Sequence, residues 1–139
     1  MDIIEKSLHI ALQAYTGLKD KAGKTYILHP LRIMSKMETE DEQSVALLHD
    51  VIEDSDLTAT DLLSAGIPQN IVEAVQSLTK QNGETYEMFI QRILDNKLAS
   101  KVKKADIEDN INILRLKTLS DTDLNRLKKY HQAWQQLNQ

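Results

Sequence analysis

The chain has 139 residues, enough for one domain with a real core, and its 41% hydrophobic and 27% charged residues are those of an ordinary globular protein. It has no cysteine, which excludes disulfides, thiolate metal sites and thiol catalysis, so any metal must be held by nitrogen and oxygen. A net charge of −4 without a basic tail argues against general nucleic-acid binding, and no run approaches the roughly 18 apolar residues of a membrane span.

The start, Met1-Asp2-Ile3-Ile4-Glu5, lacks the basic residues and cleavage site of a signal peptide, so a cytoplasmic location is expected. Few prolines and glycines interrupt an apolar spacing that is helical nearly throughout. A first helix is predicted over Ile3 to Thr16, with Ile4, Leu8, Ala11, Leu12 and Tyr15 at helical intervals. Gly17 to Leu28 reads as a loop. His29-Pro30 suits the first turn of a second helix running to about Met37. A third helix starts near Glu40 and runs through the segment His49-Asp50. N-cap chemistry at Asp56 to Asp61 opens a short helix that Gly66 ends. Further helices are expected over about Gln69 to Leu78, Thr85 to Asn96, Leu98 to Leu116 and Asp121 to Leu137. No period-2 run of useful length appears. The expected fold is all-α, one bundle of seven or eight helices.

The segment Ala46 to Asp54 carries the most chemistry. At about 100° per residue, His49, Asp50, Glu53 and Asp54 share an arc of roughly 140°. Val45, Leu47, Leu48, Val51 and Ile52 occupy the rest, so the charges sit on a helix whose other faces look buried. Crowded, dehydrated carboxylates repel one another, and a divalent cation relieves that. His29 at a helix start reads, taken alone, as a structural histidine. Asp106 and Asn110 share a helix face, with Asp109 on the flank; alone, that is a polar surface. Together the segments supply two imidazoles and two carboxylates, which suit Mn²⁺, Fe²⁺, Zn²⁺, Co²⁺ or Mg²⁺. Lys21, Lys24, Arg32 and Lys103 are the cations available to draw a phosphorylated substrate. Arg32 stands out because it lies one helical turn from His29. His9, His131 and Trp134 read as structural or surface residues, and Met34, Met37 and Met88 as core fillers.

The order Tyr26-Ile27-Leu28-His29-Pro30-Leu31-Arg32, Ala46-Leu47-Leu48-His49-Asp50-Val51-Ile52-Glu53-Asp54, Leu78-Thr79-Lys80 and Lys104-Ala105-Asp106, with Asp109-Asn110, resembles the HD-domain phosphohydrolases. Within them it is similar to the hydrolase domain of RelA/SpoT-type alarmone enzymes and their small stand-alone relatives. The resemblance runs from the first helix to Tyr130. It implies a single HD domain over residues 1–139, without an alarmone synthetase domain. It implies one divalent ion, Mn²⁺ foremost, bound by His29, His49, Asp50 and Asp106. Glu53 and Asp54 match the catalytic acidic pair that orients or deprotonates the attacking water. Asn110 matches an asparagine that contacts the substrate sugar or phosphate, and Lys21 a lysine beside the substrate.

Three departures accompany it. The family's first helix ends Ala-His before Gly-Gln; here it ends Ala14-Tyr15 before Gly17-Leu18. The next loop carries Asp20-Lys21 in place of Arg-Lys, whose arginine helps hold the guanine. The late motif reads Asp106-Ile107-Glu108-Asp109-Asn110 in place of Asp-Arg-x-His-Asn. The metal and water machinery is retained and the base-recognition positions differ. The expectation is a metal-dependent phosphohydrolase that removes phosphate or pyrophosphate from a small nucleotide, best matched by a (p)ppGpp-like alarmone. The alternatives are a phosphatase or pyrophosphatase of ordinary nucleotides and a catalytically silent HD module that senses a nucleotide. No nucleic-acid or membrane partner is expected. The helix near Ile90 to Leu98 and the last helix have apolar residues enough for a homodimer contact.

Overall fold

The computed structural model describes residues 1–139. In chain order the elements are α1 (Ile3–Ala14), α2 (Leu28–Ser35), α3 (Glu40–Leu48), α4 (Val51–Asp54), α5 (Ala59–Ser64), α6 (Gln69–Ser77), α7 (Tyr86–Ile93), α8 (Lys97–Asn110), a 3-10 turn (Ile113–Arg115) and α9 (Asp121–Leu137). Counting α3 and α4 as one broken helix gives eight, in an all-α fold. Capping boxes fix four starts: Asp2 with Glu5, Thr39 with Glu42, Thr58 with Asp61 and Ser120 with Asp123. Gly66, at φ +94°, ends the turn after α5 as expected, because L residues with a side chain resist that conformation.

Helix α3 is the centre of the bundle. Every residue from Ser44 to Leu48 is fully buried, and α1, α2, α6 and α8 pack around it. That half of α3 has no solvent face, which is why Ser44 to Leu48 show no amphipathic stripe. Met37 joins the core, but Met88 stands 55% exposed on the outer face of α7 and fills nothing. No helix is long and apolar enough to cross a membrane.

Two elements differ from the expectation, and both differences shape the site. The third helix does not run through His49-Asp50; it breaks there, and α4 restarts at Val51. The cause is a competition for one carbonyl. Ala46 O accepts from His49 Nδ1 at 2.7 Å, and the Asp50 N–H turns instead to Tyr15 Oη at 3.1 Å. Tyr15 Oη in turn donates to Leu47 O at 3.3 Å, so one buried hydroxyl satisfies both ragged backbone groups. Tyr15→Phe should therefore cost about 1–3 kcal/mol in a urea melt, the usual penalty for orphaning such groups. The second difference is at α8, which stops at Asn110 instead of reaching Leu116. Arg115 Nη1 reaches back to Asp109 O at 3.0 Å and closes the helix end, while Leu114 points outward at 91% exposure.

Candidate metal centre and cleft

Three helices aim one imidazole or carboxylate each at a single point. His29 lies in the first turn of α2, His49 at the end of α3 and Asp106 on α8. All three are at most 5% exposed, and their ligating atoms lie within 4.8 Å of one another. An ion held about 2.0–2.2 Å from each donor fits that span. The tautomers are fixed from behind. The Ala46 carbonyl can only accept, so it takes the His49 Nδ1 proton and leaves Nε2 facing the group. That Nε2 is buried without a hydrogen-bond partner, 3.2 Å from Asp50 Oδ2 and 3.6 Å from Asp106 Oδ1. A buried, unpartnered nitrogen beside two carboxylate oxygens is what a cation-binding group requires. The residues present fit a divalent ion.

Asp50 sits at the edge of this group. On a regular helix it would diverge from His49 by about 100°; the break after α3 brings its Oδ2 beside Nε2. The Tyr26 hydroxyl donates to the same Oδ2. Burial opposes the charge on Asp50, but His49 beside it holds the carboxyl below its usual range. Burial likewise opposes ionisation of Asp106, and Lys103 with the two imidazoles holds it well below that range. Burial works against protonated His29 and His49, yet the surrounding carboxylates raise both above the usual imidazole range. The group as a whole demands positive charge at its centre.

Asp106 has a full set of partners. Its Oδ1 lies 2.8 Å from His29 Nε2 and accepts from Asn110 Nδ2 at 3.1 Å; its Oδ2 accepts from Lys103 Nζ at 3.0 Å. Lys103 is nearly buried over the rings of Phe89 and Tyr86, at 5.4 and 5.9 Å. Its charge is held by Asp106 against the burial that would remove it.

Asp109 is the residue whose place sequence reasoning missed. It is 3% exposed and accepts from His29 Nδ1 at 2.6 Å. It also takes Arg32 Nε and Nη2 at 2.8 and 3.0 Å and Arg115 Nη2 at 2.7 Å. Its carboxyl falls far below the usual range, because His29, Arg32 and Arg115 outweigh burial. The signal lay in the spacing of Asp106 and Asp109, one turn apart on α8. A carboxylate behind a ligating histidine sets its tautomer and basicity. Asp109→Asn should weaken Mn²⁺ binding by about 10- to 100-fold, read by titration with the metal.

A cleft of about 370 Å³ opens onto this group, and Lys21, Arg32, Glu53, Lys103 and Asn110 line it. Arg32 faces it with a guanidinium already committed in part to Asp109. Glu53 Oε1 accepts from the Lys80 N–H at 2.7 Å. Burial raises the Glu53 carboxyl above its ordinary range, and burial with the charges of Asp50 and Glu53 pushes Asp54 up to about 6. Asp54 is exposed at the end of α4 and does not line the cleft. Asp20 does line it, but its Oδ1 accepts from the amides of Ala22 and Lys24, both at 2.9 Å, and so shapes its own loop.

Fold and His–His–Asp group together describe an all-α domain with a candidate divalent-metal centre. No family model matches the chain. A guanosine-3′,5′-bis(diphosphate) 3′-pyrophosphohydrolase of Vibrio cholerae serotype O1 is 36% identical over 84 residues, covering 58% of this chain and 12% of that protein. One of the same name from Aquifex aeolicus is 26% identical over 123 residues, 80% of this chain and 18% of the relative. A solved structure, described as a metazoan ortholog of SpoT that hydrolyzes ppGpp and plays a role in starvation responses, superposes with a TM-score of 0.76. It is 19% identical and covers 99% of this chain and 85% of its own. The chain thus resembles SpoT/RelA-type alarmone hydrolases and spans less than a fifth of the length of the two curated relatives.

Proposed function

We propose that this protein is a metal-dependent phosphohydrolase that removes pyrophosphate from the 3′ position of a (p)ppGpp-like nucleotide. The observation that carries the reading is the buried, unpartnered Nε2 of His49, set beside the carboxylates of Asp50 and Asp106, which themselves line the cleft with Lys21, Arg32 and Lys103. Sequence likeness to two proteins named 3′-pyrophosphohydrolases supports the substrate class. His29, His49, Asp50 and Asp106 would hold one divalent ion of the kind a nitrogen–oxygen set accepts, with Mn²⁺ foremost on the resemblance to the alarmone hydrolases. When bound, it supplies Lewis acidity toward a phosphate oxygen and lowers the pKa of water.

The chain's own residues supply the rest. Glu53 accepts a proton from the attacking water, and Asp54, which stands outside the cleft, acts through its charge beside Glu53. The Lys80 amide occupies Oε1 of Glu53 and so fixes the carboxylate. Water oxygen bonds to the phosphorus nearest the ribose, the bond from that phosphorus to the 3′ oxygen breaks, and the leaving 3′ oxygen takes up the proton that Glu53 accepted from the water. Asn110 holds Asp106 in line, and Lys21 and Arg32 receive the phosphates. A cytoplasmic location belongs to the same reading.

The test is release of phosphate and pyrophosphate from a nucleotide panel with and without Mn²⁺. The panel holds guanosine and adenosine 3′-pyrophosphates, ordinary triphosphates and monophosphates. Mn²⁺-dependent pyrophosphate release from a 3′-pyrophosphate is expected. Release only from ordinary nucleotides would move the substrate, and metal binding without any turnover would make the domain a sensing module.

A further inference from the structure

Arg92 lies on α7, outside the cleft, and its guanidinium gathers the turn that joins α6 to α7. Nη1 donates to Ser77 O at 3.2 Å, and Nη2 to Thr79 O at 2.8 Å. Nε and Nη2 also take the carboxylate oxygens of Glu84, at 2.8 and 3.0 Å. Glu84 Oε1 accepts in turn from the Gln81 amide at 3.0 Å. A planar fork thus ties Ser77, Thr79 and Glu84 to one helix, which the point charge of a lysine cannot do. The Arg92 guanidinium, and then the Gln81 amide, hold the Glu84 carboxyl down at about 2, so the pair is ionised at neutral pH. The guanidinium carbon stands 5.6 Å from the centroid of the buried Phe89 ring, one turn back on α7, which ties the anchor to the core.

The clasp holds a peptide unit with both ends in use. The Thr79 carbonyl accepts from Arg92, and the N–H of the same peptide, on Lys80, donates to Glu53 Oε1 at 2.7 Å. The peptide is trans, and a trans peptide is planar with its C=O and N–H directed oppositely. Pinning the oxygen therefore aims the N–H. A cation on the oxygen also polarises the unit and strengthens the bond that its N–H gives. Nothing else does this work. Lys80 to Gly83 are all exposed, so packing does not fix the turn. Glu53 stands on α4, a single turn restarted after the break at His49-Asp50, and the Lys80 amide is its hydrogen-bond partner in the fold.

Resting on the proposed hydrolase reading, we infer that Arg92 is a positioning residue: it pins the Thr79–Lys80 peptide so that the Lys80 amide holds the Glu53 carboxylate in the orientation that takes a proton from water. Arg92 touches neither the metal group nor the cleft. Its effect belongs to kcat, because a misaimed base weakens the transition state and leaves the binding of phosphates alone.

Arg92→Met keeps the apolar stem and removes the fork. In turnover of a guanosine 3′-pyrophosphate with Mn²⁺ it should lower kcat by about 10- to 100-fold, as a small misplacement of a catalytic group does, and leave KM and Mn²⁺ affinity unchanged. Arg92→Lys keeps the charge beside Glu84 and should fall between variant and parent. In a Glu53→Gln background Arg92→Met should lower kcat no further, since the two act through one contact. Amide exchange followed by NMR reads the geometry without activity. The Lys80 N–H should exchange about tenfold faster in Arg92→Met than in the parent, while Val75 and Ile90 in the flanking helices keep their protection. If Arg92→Met loosens those helices too, Arg92→Lys, read in the same way, decides. Unchanged Lys80 exchange or unchanged kcat would overturn the assignment, as would a fall in kcat matched by a loss of Mn²⁺ affinity. Failure of the hydrolase reading shows separately, as absence of metal-dependent turnover in the parent protein while Lys80 exchange still responds to Arg92→Met.

Discussion

Asp106→Ala is expected to abolish turnover, release the metal and destabilise the folded protein, all in one substitution. Asp106 is the hub that both imidazoles, Lys103 and Asn110 share. Without it, His29 Nε2 and His49 Nε2 lose the carboxylate between them, and the proposed ion loses a charged ligand. Lys103 loses its only ion-pair partner in a nearly buried position. Stranding one half of a buried pair typically costs about 3–5 kcal/mol. Because Lys103 also lies over two rings, part of its burial survives, and the lower end of that range is expected. Metal content after dialysis and a urea melt of the metal-free variant read the two effects separately. An Asp106→Ala protein that keeps its metal and its parent stability would sink the assignment of the site. Asp106→Asn keeps the volume and should spare more of the stability than of the metal affinity.

The ends of the bundle were legible in the sequence because they depend on local chemistry. The cap at Thr58 and the turn at Gly66 act within a few residues of themselves, so a linear reading finds them. The burial of Val45, Leu47, Leu48 and Val51 around the charged segment was legible as well, because their apolar side chains occupy the rest of that helix's circumference. What the sequence hid was competition between a side chain and the backbone. Helical periodicity ran straight through His49, because nothing in the spacing says that its Nδ1 will take the Ala46 carbonyl. The Tyr15 hydroxyl that repairs the break comes from another helix, 35 residues away. In the linear reading Tyr15 is only a departure from the family's histidine; in the fold it closes the backbone next to the metal group. Asp109 was hidden similarly, since its value comes from Arg32 and Arg115 meeting it in space. His29 could be placed in the site only through the resemblance, for a lone histidine at a helix start carries no such signal by itself.

Glu53→Gln should retain the metal and lose turnover by about 10²–10⁴-fold, the range that general-base catalysis supplies. Glutamine keeps the oxygen that accepts the Lys80 amide, so the side chain can hold its place while losing the ability to take a proton. Glu53 is no member of the buried His–His–Asp group, which is why metal affinity should survive. Its neighbour sets the pH dependence. Burial and the charges of Asp50 and Glu53 push the Asp54 carboxyl up to about 6. The proposed chemistry needs the ionised pair, so turnover should rise with pH through about 6, and Asp54→Asn should remove that limb. Stability runs the other way. A carboxyl with a raised folded pKa is neutral in the fold at a pH where the unfolded chain has already ionised it, so stability falls as pH rises from the ordinary aspartate range to about 6. Asp54→Asn should therefore raise the melting temperature at pH 7 and leave it unchanged at pH 3. A variant that melts like its parent at pH 7, with the acid limb of the rate intact, would show that Asp54 is an ordinary solvated acid. Glu53 would then take the proton without its neighbour's charge.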